Sequence, residues 1–129
     1  MQLLHLITVI FIVTACAEPK NPSAHNMTSK NENGNLKVGG LYLLKSKDNS
    51  YYLEKILAID DWAVHVRVYN AMFKTKPTDI NTADLDFLIG HSPIDQEGFL
   101  SDKPELLKVE DVQESELEGY RIYMAAMKK

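Results

Sequence analysis

The chain has 129 residues, of which 45% are hydrophobic, and a formal net charge of −4. This length allows one domain of ordinary globular composition, and the single cysteine excludes an intrachain disulfide. The acidic balance argues against a nucleic-acid partner, because such binding depends on neutralising phosphates with basic residues.

The N-terminal segment is an uncharged apolar run from Leu3 to Val13, interrupted only by a histidine and a threonine. The run is too short to span a bilayer and has the length of the hydrophobic region of a signal peptide. Two small residues, Thr14 and Ala15, follow it and lead directly into Cys16. Because signal peptidases need small side chains before the cleaved bond, the pattern predicts export and cleavage near Cys16.

The tetrapeptide Val13-Thr14-Ala15-Cys16 resembles the lipobox of bacterial lipoproteins. The resemblance implies a signal peptide over 1–15, cleavage before Cys16, and a diacylglycerol on its thiol. It also implies a membrane-anchored protein that faces the periplasm, and Ala17 in the next position favours the outer membrane over the inner. Two alternatives stay open. Cleavage after Ala17, at the overlapping A-x-A site, would release a soluble periplasmic protein, and the run could instead be a buried helix.

Residues 16–36 have the composition of a flexible tether. The stretch holds two prolines and several asparagines and serines, and Met27 is its only sizeable apolar side chain before Leu36. Such a segment cannot bury enough apolar surface to offset its ordering entropy. We therefore expect a tether that reaches roughly 25 Å from the membrane and a small β-rich globular domain over 37–129.

Three consecutive strands are predicted at the start of this domain. They cover Leu41–Lys45, Tyr51–Ile59 and Ala63–Tyr69, and short polar turns join them. In the third strand alternate residues face opposite sides, with valines on one side and His65, Arg67 and Tyr69 on the other. The arrangement is typical of an antiparallel meander whose one apolar face needs a covering layer.

The chain after Tyr69 is less regular. Phe73–Pro77 is read as an extended piece, Asp84–Gly90 as a short strand that Gly90 ends, and Ile94–Leu100 as one or two helical turns. Ser115–Met127 has helical spacing, and Ser115 and Glu118 have the spacing of a capping box.

The predicted fold class is mainly β (α+β): a small antiparallel, SH3-like, partly open barrel or meander with a C-terminal helix packed on the sheet. The pattern over 37–69 resembles the opening of small SH3-like and Tudor-like barrels. That resemblance implies an interaction module and names no ligand.

No metal or cofactor site is expected. His25, His65 and His91 have no His or Cys within four positions, and lipid on Cys16 would occupy the only thiol. His65 is predicted to be an exposed strand histidine. The tetrapeptide beginning at Gly90, GHSP, is predicted to be a turn between two apolar segments.

No catalytic residue is expected either, since no nucleophile motif or carboxylate pair has suitable spacing. Asp60 and Asp61 fit a hairpin turn. The acidic residues between Asp102 and Glu118 are read as a solvated surface, without the spacing of a calcium loop.

The aromatic residues of the meander carry the prediction of function. Aromatic side chains at strand ends line the ligand grooves of Tudor-like barrels, so Trp62, Arg67 and Tyr69 are the candidate ligand-binding residues. The function predicted is a non-enzymatic, lipid-anchored binding module with a protein partner in the cell envelope. The alternative is an immunity-like or inhibitor protein that acts against an envelope toxin or hydrolase.

Overall fold

The structure is a computed structural model, and it describes residues 36–129. The predicted signal peptide, the lipobox with Cys16, and the tether up to residue 35 lie outside the described residues. Within 36–129, no helix has both the length and the apolar character needed to cross a membrane.

Five antiparallel strands form one open sheet, in the order β4-β3-β2-β1-β5. The strands are β1 Gly40–Lys45, β2 Tyr51–Ile59, β3 Ala63–Tyr69, β4 Phe87–Asp95 and β5 Glu105–Val109. Consecutive strands pair from β1 to β4, and β5 returns to pair with β1 at the other edge. The predicted fold class is confirmed, as are the bounds of β2 and β3.

Two α-helices accompany the sheet: α1 spans Gln96–Ser101 and α2 spans Glu118–Met127. The predicted C-terminal helix is therefore present, but it starts later, after a 3₁₀ turn over Glu114–Leu117. The capping box is formed by Gln113 and Glu116, not by Ser115 and Glu118: the Gln113 N–H donates to the Glu116 carboxylate at 2.8 Å. The Glu116 carboxylate is also bound by a buried lysine of β2, which fixes the turn at this point.

Three predictions for the middle of the chain are wrong. Only Phe73 of the predicted extended piece pairs with a strand, through an isolated bridge to Tyr51. Gly90 does not end β4, and the tetrapeptide that begins there lies within the strand and forms no turn. Because β4 is an edge strand, Pro93 can lie within it at little cost. Strand β5 was not predicted, since its five residues are few and do not alternate regularly between charged and apolar.

The two faces of the sheet are different. Face A is the side of Tyr42, Ile56 and Val66, and Phe99 of α1 packs on it. Face B is the opposite side, and its apolar part contains these residues: Leu41, Leu43, Leu53, Tyr69 and Ile80. The prediction of a single apolar face is therefore wrong. Both faces are buried, because the segments that follow β3 and β5 fold back over face B.

Candidate functional site

Face B carries a row of polar side chains beside its apolar part. Lys55 of β2 pairs in register with Arg67 of β3, and His65 lies two residues before Arg67 on the same side of the strand. His91 of β4 is hydrogen-bonded to His65. We call these four residues the polar stripe. The segment from Glu110 to Met127 covers it, so the site combines the sheet with the C-terminal part of the chain.

Lys55 is the most buried charge of the stripe, at 2% exposure. Its Nζ donates to the two Glu116 carboxylate oxygens at 3.0 and 3.2 Å and to the Asp111 carbonyl at 2.9 Å, and Glu110 lies at 3.4 Å. Desolvation acts to raise the pKa of Glu110, but the hydrogen bond from Thr82 and the nearby lysine charges lower it overall. The lysine is thus fully paired, and it ties the C-terminal segment to β2.

Arg67 has far fewer partners. Its guanidinium carbon lies 4.3 Å from the centroid of the Phe87 ring, and its Nη1 is 3.9 Å from the Glu116 carboxylate, beyond hydrogen-bond distance. The side chain is only 15% exposed, and its buried Nε has no hydrogen-bond partner among the described residues. A desolvated donor without an acceptor costs free energy. Nε is too buried for a ligand to reach, so the capacity of this arginine for a planar acceptor group lies with its terminal nitrogens, of which Nη1 is beyond hydrogen-bond distance of Glu116.

Two surface grooves meet at Arg67. The larger, of about 700 Å³, lies between the 3₁₀ turn Thr82–Asp84, the start of β4 and the segment 110–116. The smaller, of about 470 Å³, lies between β4 and the start of α2. Arg67, Phe87 and Glu116 line both grooves. Tyr69 lines the larger one, and burial together with the charges of Glu116 and Glu110 raises its pKa to about 12, so it remains a hydroxyl group.

A chain of hydrogen bonds runs through the other half of the stripe. The buried His65 places Nε2 2.7 Å from the Asp60 carboxylate and Nδ1 2.9 Å from His91 Nε2. With both histidines neutral, one tautomer satisfies all three groups: His65 donates to Asp60, and His91 donates to His65. Burial, and next the charge of His65, lowers the pKa of His91. Desolvation opposes ionisation of Asp60, but bonds from His65 and two backbone N–H groups lower its pKa overall.

The rings of Tyr120 and Tyr123 pack on the two histidines. Tyr120 contacts the His65 ring edge-on, with centroids 4.7 Å apart, and Tyr123 lies 5.3 and 5.4 Å from the two imidazoles. Gly119 lets the helix approach, because a Cβ at this position would be 2.6 Å from the His91 Cβ. No residue of α2 is buried. The helix is therefore held on the sheet by these ring contacts and by the turn that Glu116 anchors.

The predicted ligand-binding residues fall in two places. Arg67 and Tyr69 line the larger groove. Trp62 lies in the turn between β2 and β3, where it is half exposed, and it lines neither groove. Asp60 accepts hydrogen bonds from the N–H groups of Trp62 and Ala63, which confirms its predicted role in the turn.

Two predictions about polar residues are wrong. His65 is fully buried, because α2 covers it and because Asp60 and His91 satisfy both of its ring nitrogens. The acidic segment near the C-terminus is not wholly solvated, since Glu116 is buried against Lys55. In the part of the chain that the structure describes, no group of three or more His, Cys, Asp or Glu could hold a metal ion.

Lys55, Glu116 and His91 were not predicted to be members of the site. The one signal for Lys55 was its position within an otherwise apolar strand, next to Glu54. Comparisons with protein-family models, with curated proteins and with solved structures each gave no significant match. A proposal about function therefore rests on the polar stripe and its grooves.

Proposed function

We propose that this chain is a non-enzymatic binding module of the cell envelope, held on a membrane by lipid on Cys16, and that the grooves around Arg67 receive a protein partner. The part that concerns location rests on the lipobox resemblance at residues 13–16. The part that concerns binding rests on the geometry of the polar stripe.

The main support for a binding site is that Arg67 lacks close hydrogen-bond partners among the described residues. The buried Lys55 has a carboxylate pair and a carbonyl as partners, whereas Arg67 has one distant carboxylate and an unpaired Nε. Its guanidinium is held in place by the Phe87 ring, at the junction of the two grooves. A prearranged donor beside an exposed aromatic ring is typical of the centre of a protein interface, where Arg and aromatic residues dominate the binding energy.

The location is tested by the intact mass of the mature protein isolated from membranes. We expect a chain that begins at Cys16 and carries added acyl mass. A chain that begins at Glu18 without lipid would be a soluble periplasmic protein, and it would contradict the anchor while leaving the binding site to be tested separately.

The binding site is tested by crosslinking in intact cells. A photoreactive amino acid replaces Phe87 in one variant and Val109 of β5 in the control, since the two side chains have matched exposures of 52% and 54%. We expect a discrete adduct from position 87 that is absent from position 109 and is lost when Arg67→Gln is added. Equal adducts from both positions, or no adduct from position 87, would contradict a partner at the grooves. If the crosslinked partner is a toxin or a hydrolase, the alternative function as an immunity-like or inhibitor protein would be favoured.

A further inference from the structure

Strand β4 is an edge of the sheet with exposed apolar side chains at its start. Phe87, Leu88 and Ile89 are three consecutive large apolar side chains that are all exposed, Leu88 at 68%. From Phe87 to Ser92 the strand has no acidic residue, lysine or arginine. Edge strands of this kind readily pair with another chain, and proteins normally protect them with charges, prolines or a cover. Pro93 lies before the terminal Asp95, and the pairing of β4 with β3 shifts register between Ser92 and Ile89 and again between Ile89 and Phe87. The exposed apolar part of the edge is therefore Phe87–Ile89.

The other edge of the same sheet has protection. Strand β5 is five residues long and carries Glu105 and Lys108. Glu105 forms an ion pair with Lys76, and Lys108 forms one with Glu110. A charged, short edge discourages pairing with other chains. Strand β4 is longer and carries no such charges from Phe87 to Ser92, so it is the edge that charge protects less.

The open edge and Arg67 belong to one surface. Phe87 is the first residue of β4, it is opposite Tyr69 in register, and the Arg67 guanidinium stacks on its ring. A strand added outside β4 would place the Cβ of the residue opposite Phe87 about 5 Å from that of Phe87. A side chain at that position on face B is within reach of the Arg67 guanidinium.

The acidic residues around Arg67 affect which kind of anionic group this arginine can bind. An arginine fork matches a carboxylate or a phosphate. Glu116, Asp86 and Glu118 also line the grooves, and their negative charges penalise a second charge on the ligand. A carboxylate carries one negative charge, whereas a phosphate group carries about 1.5 to 2 at neutral pH. The surroundings of Arg67 thus favour a carboxylate over a phosphate.

We infer that the ligand is an extended peptide segment of a partner protein, which pairs with the start of β4 at Phe87–Ile89 and places an Asp or Glu carboxylate on Arg67. Main-chain hydrogen bonds along the edge would supply affinity, and the carboxylate would supply specificity. The apolar side chains at the start of β4, and Ile122 of α2, which lines the smaller groove, would receive apolar residues that flank the acid. This inference rests on the proposed function and names the class of its partner.

The test is a selection of short random peptides displayed on phage, with the purified mature protein as the target. We expect enrichment of peptides with one Asp or Glu between apolar or β-branched residues. The enriched peptide should slow amide hydrogen exchange in β4 and leave β5 unchanged. Its affinity should fall about tenfold to a hundredfold in Arg67→Gln, the range expected for a lost charge-assisted hydrogen bond. The control is Arg121→Gln, which removes an exposed arginine of α2 and should leave the affinity unchanged.

Four results would overturn the inference. Enriched peptides without an acidic residue would show that Arg67 does not bind a carboxylate of the ligand. An affinity that Arg67→Gln leaves unchanged would show the same. If no peptide is enriched over an unrelated target, the ligand is not an extended peptide. A crosslinked adduct from position 87 in cells would then still support the proposed function, with another class of partner. A concentration-dependent dimer with β4 protected from exchange would make a second copy of this chain the occupant.

Discussion

Lys55→Met is expected to destabilise the fold by about 3–5 kcal/mol, a large share of the stability of a domain of this size. The substitution removes the lysine that bonds both carboxylate oxygens of the buried Glu116, which leaves Arg67 at 3.9 Å as its remaining cation among the described residues. It also removes one partner of Glu110 and leaves the carbonyl of Asp111 without its donor. Removal of one member of a buried ion pair costs this much because the remaining charge stays desolvated. Urea unfolding followed by circular dichroism measures the change.

Two controls accompany this variant. Lys76→Met breaks the exposed pair with Glu105, and it should leave the stability nearly unchanged because water screens both charges. The double variant Lys55→Met with Glu116→Leu should recover part of the loss, since it removes both buried charges together but also removes the acceptor of the Gln113 N–H. A cost below about 1 kcal/mol for Lys55→Met would show that the cluster is solvated and does not anchor the C-terminal segment.

Glu54→Gln is expected to stabilise the protein at about pH 8, by up to about 3 kcal/mol. Glu54 is 5% exposed on face A, in register with Tyr42 and Val68, and its Oε2 has no hydrogen-bond partner among the described residues. Burial, and next the charge of Asp102, raises its pKa from 4.5 to about 7. Ionised Glu54 is therefore unfavourable in the folded chain, and a neutral amide avoids this penalty.

The sign of the pH dependence follows from the raised pKa. Below about pH 4.5 the carboxyl group is protonated in both the folded and the unfolded chain, and its ionisation costs nothing. As the pH rises from about 4.5 to about 7, the unfolded chain loses the proton first, so the free energy of unfolding falls over this window. The difference between wild type and Glu54→Gln should grow across the window and then level off. Glu97→Gln, on the exposed surface of α1, should show no such growth, and a constant difference for Glu54→Gln would contradict the burial.

Much of the sheet was predictable because its signals are local. In β2 and β3, runs of apolar and β-branched residues end at short polar turns, and both strands have the predicted bounds. The predicted β4 was too short because Gly90 and Pro93 normally interrupt a strand. The position of β4 at the edge of the sheet accommodates both residues. β5 depends on pairing with β1 far back along the chain, which no local pattern reports.

The candidate site was less predictable for the same reason. Arg67 and Tyr69 could be singled out because they alternate with valines on a regular strand. The partners that give the site its properties are remote in sequence: Lys55 and Glu116 are 61 positions apart, and His65 and His91 are 26 positions apart. His65 was predicted to be exposed because the strand pattern does not show that α2 covers it.

The central claim is that Arg67 is positioned for a partner and contributes little to the fold, and the unfolding free energy of Arg67→Met tests it most directly. The substitution removes a desolvated charge with an unpaired Nε and forfeits a contact with Phe87 of about 1 kcal/mol. The proposal predicts a stability within about 1 kcal/mol of wild type, or higher. A loss of about 3–5 kcal/mol, equal to that expected for Lys55→Met, would show that Arg67 is a structural ion-pair residue and would contradict the claim.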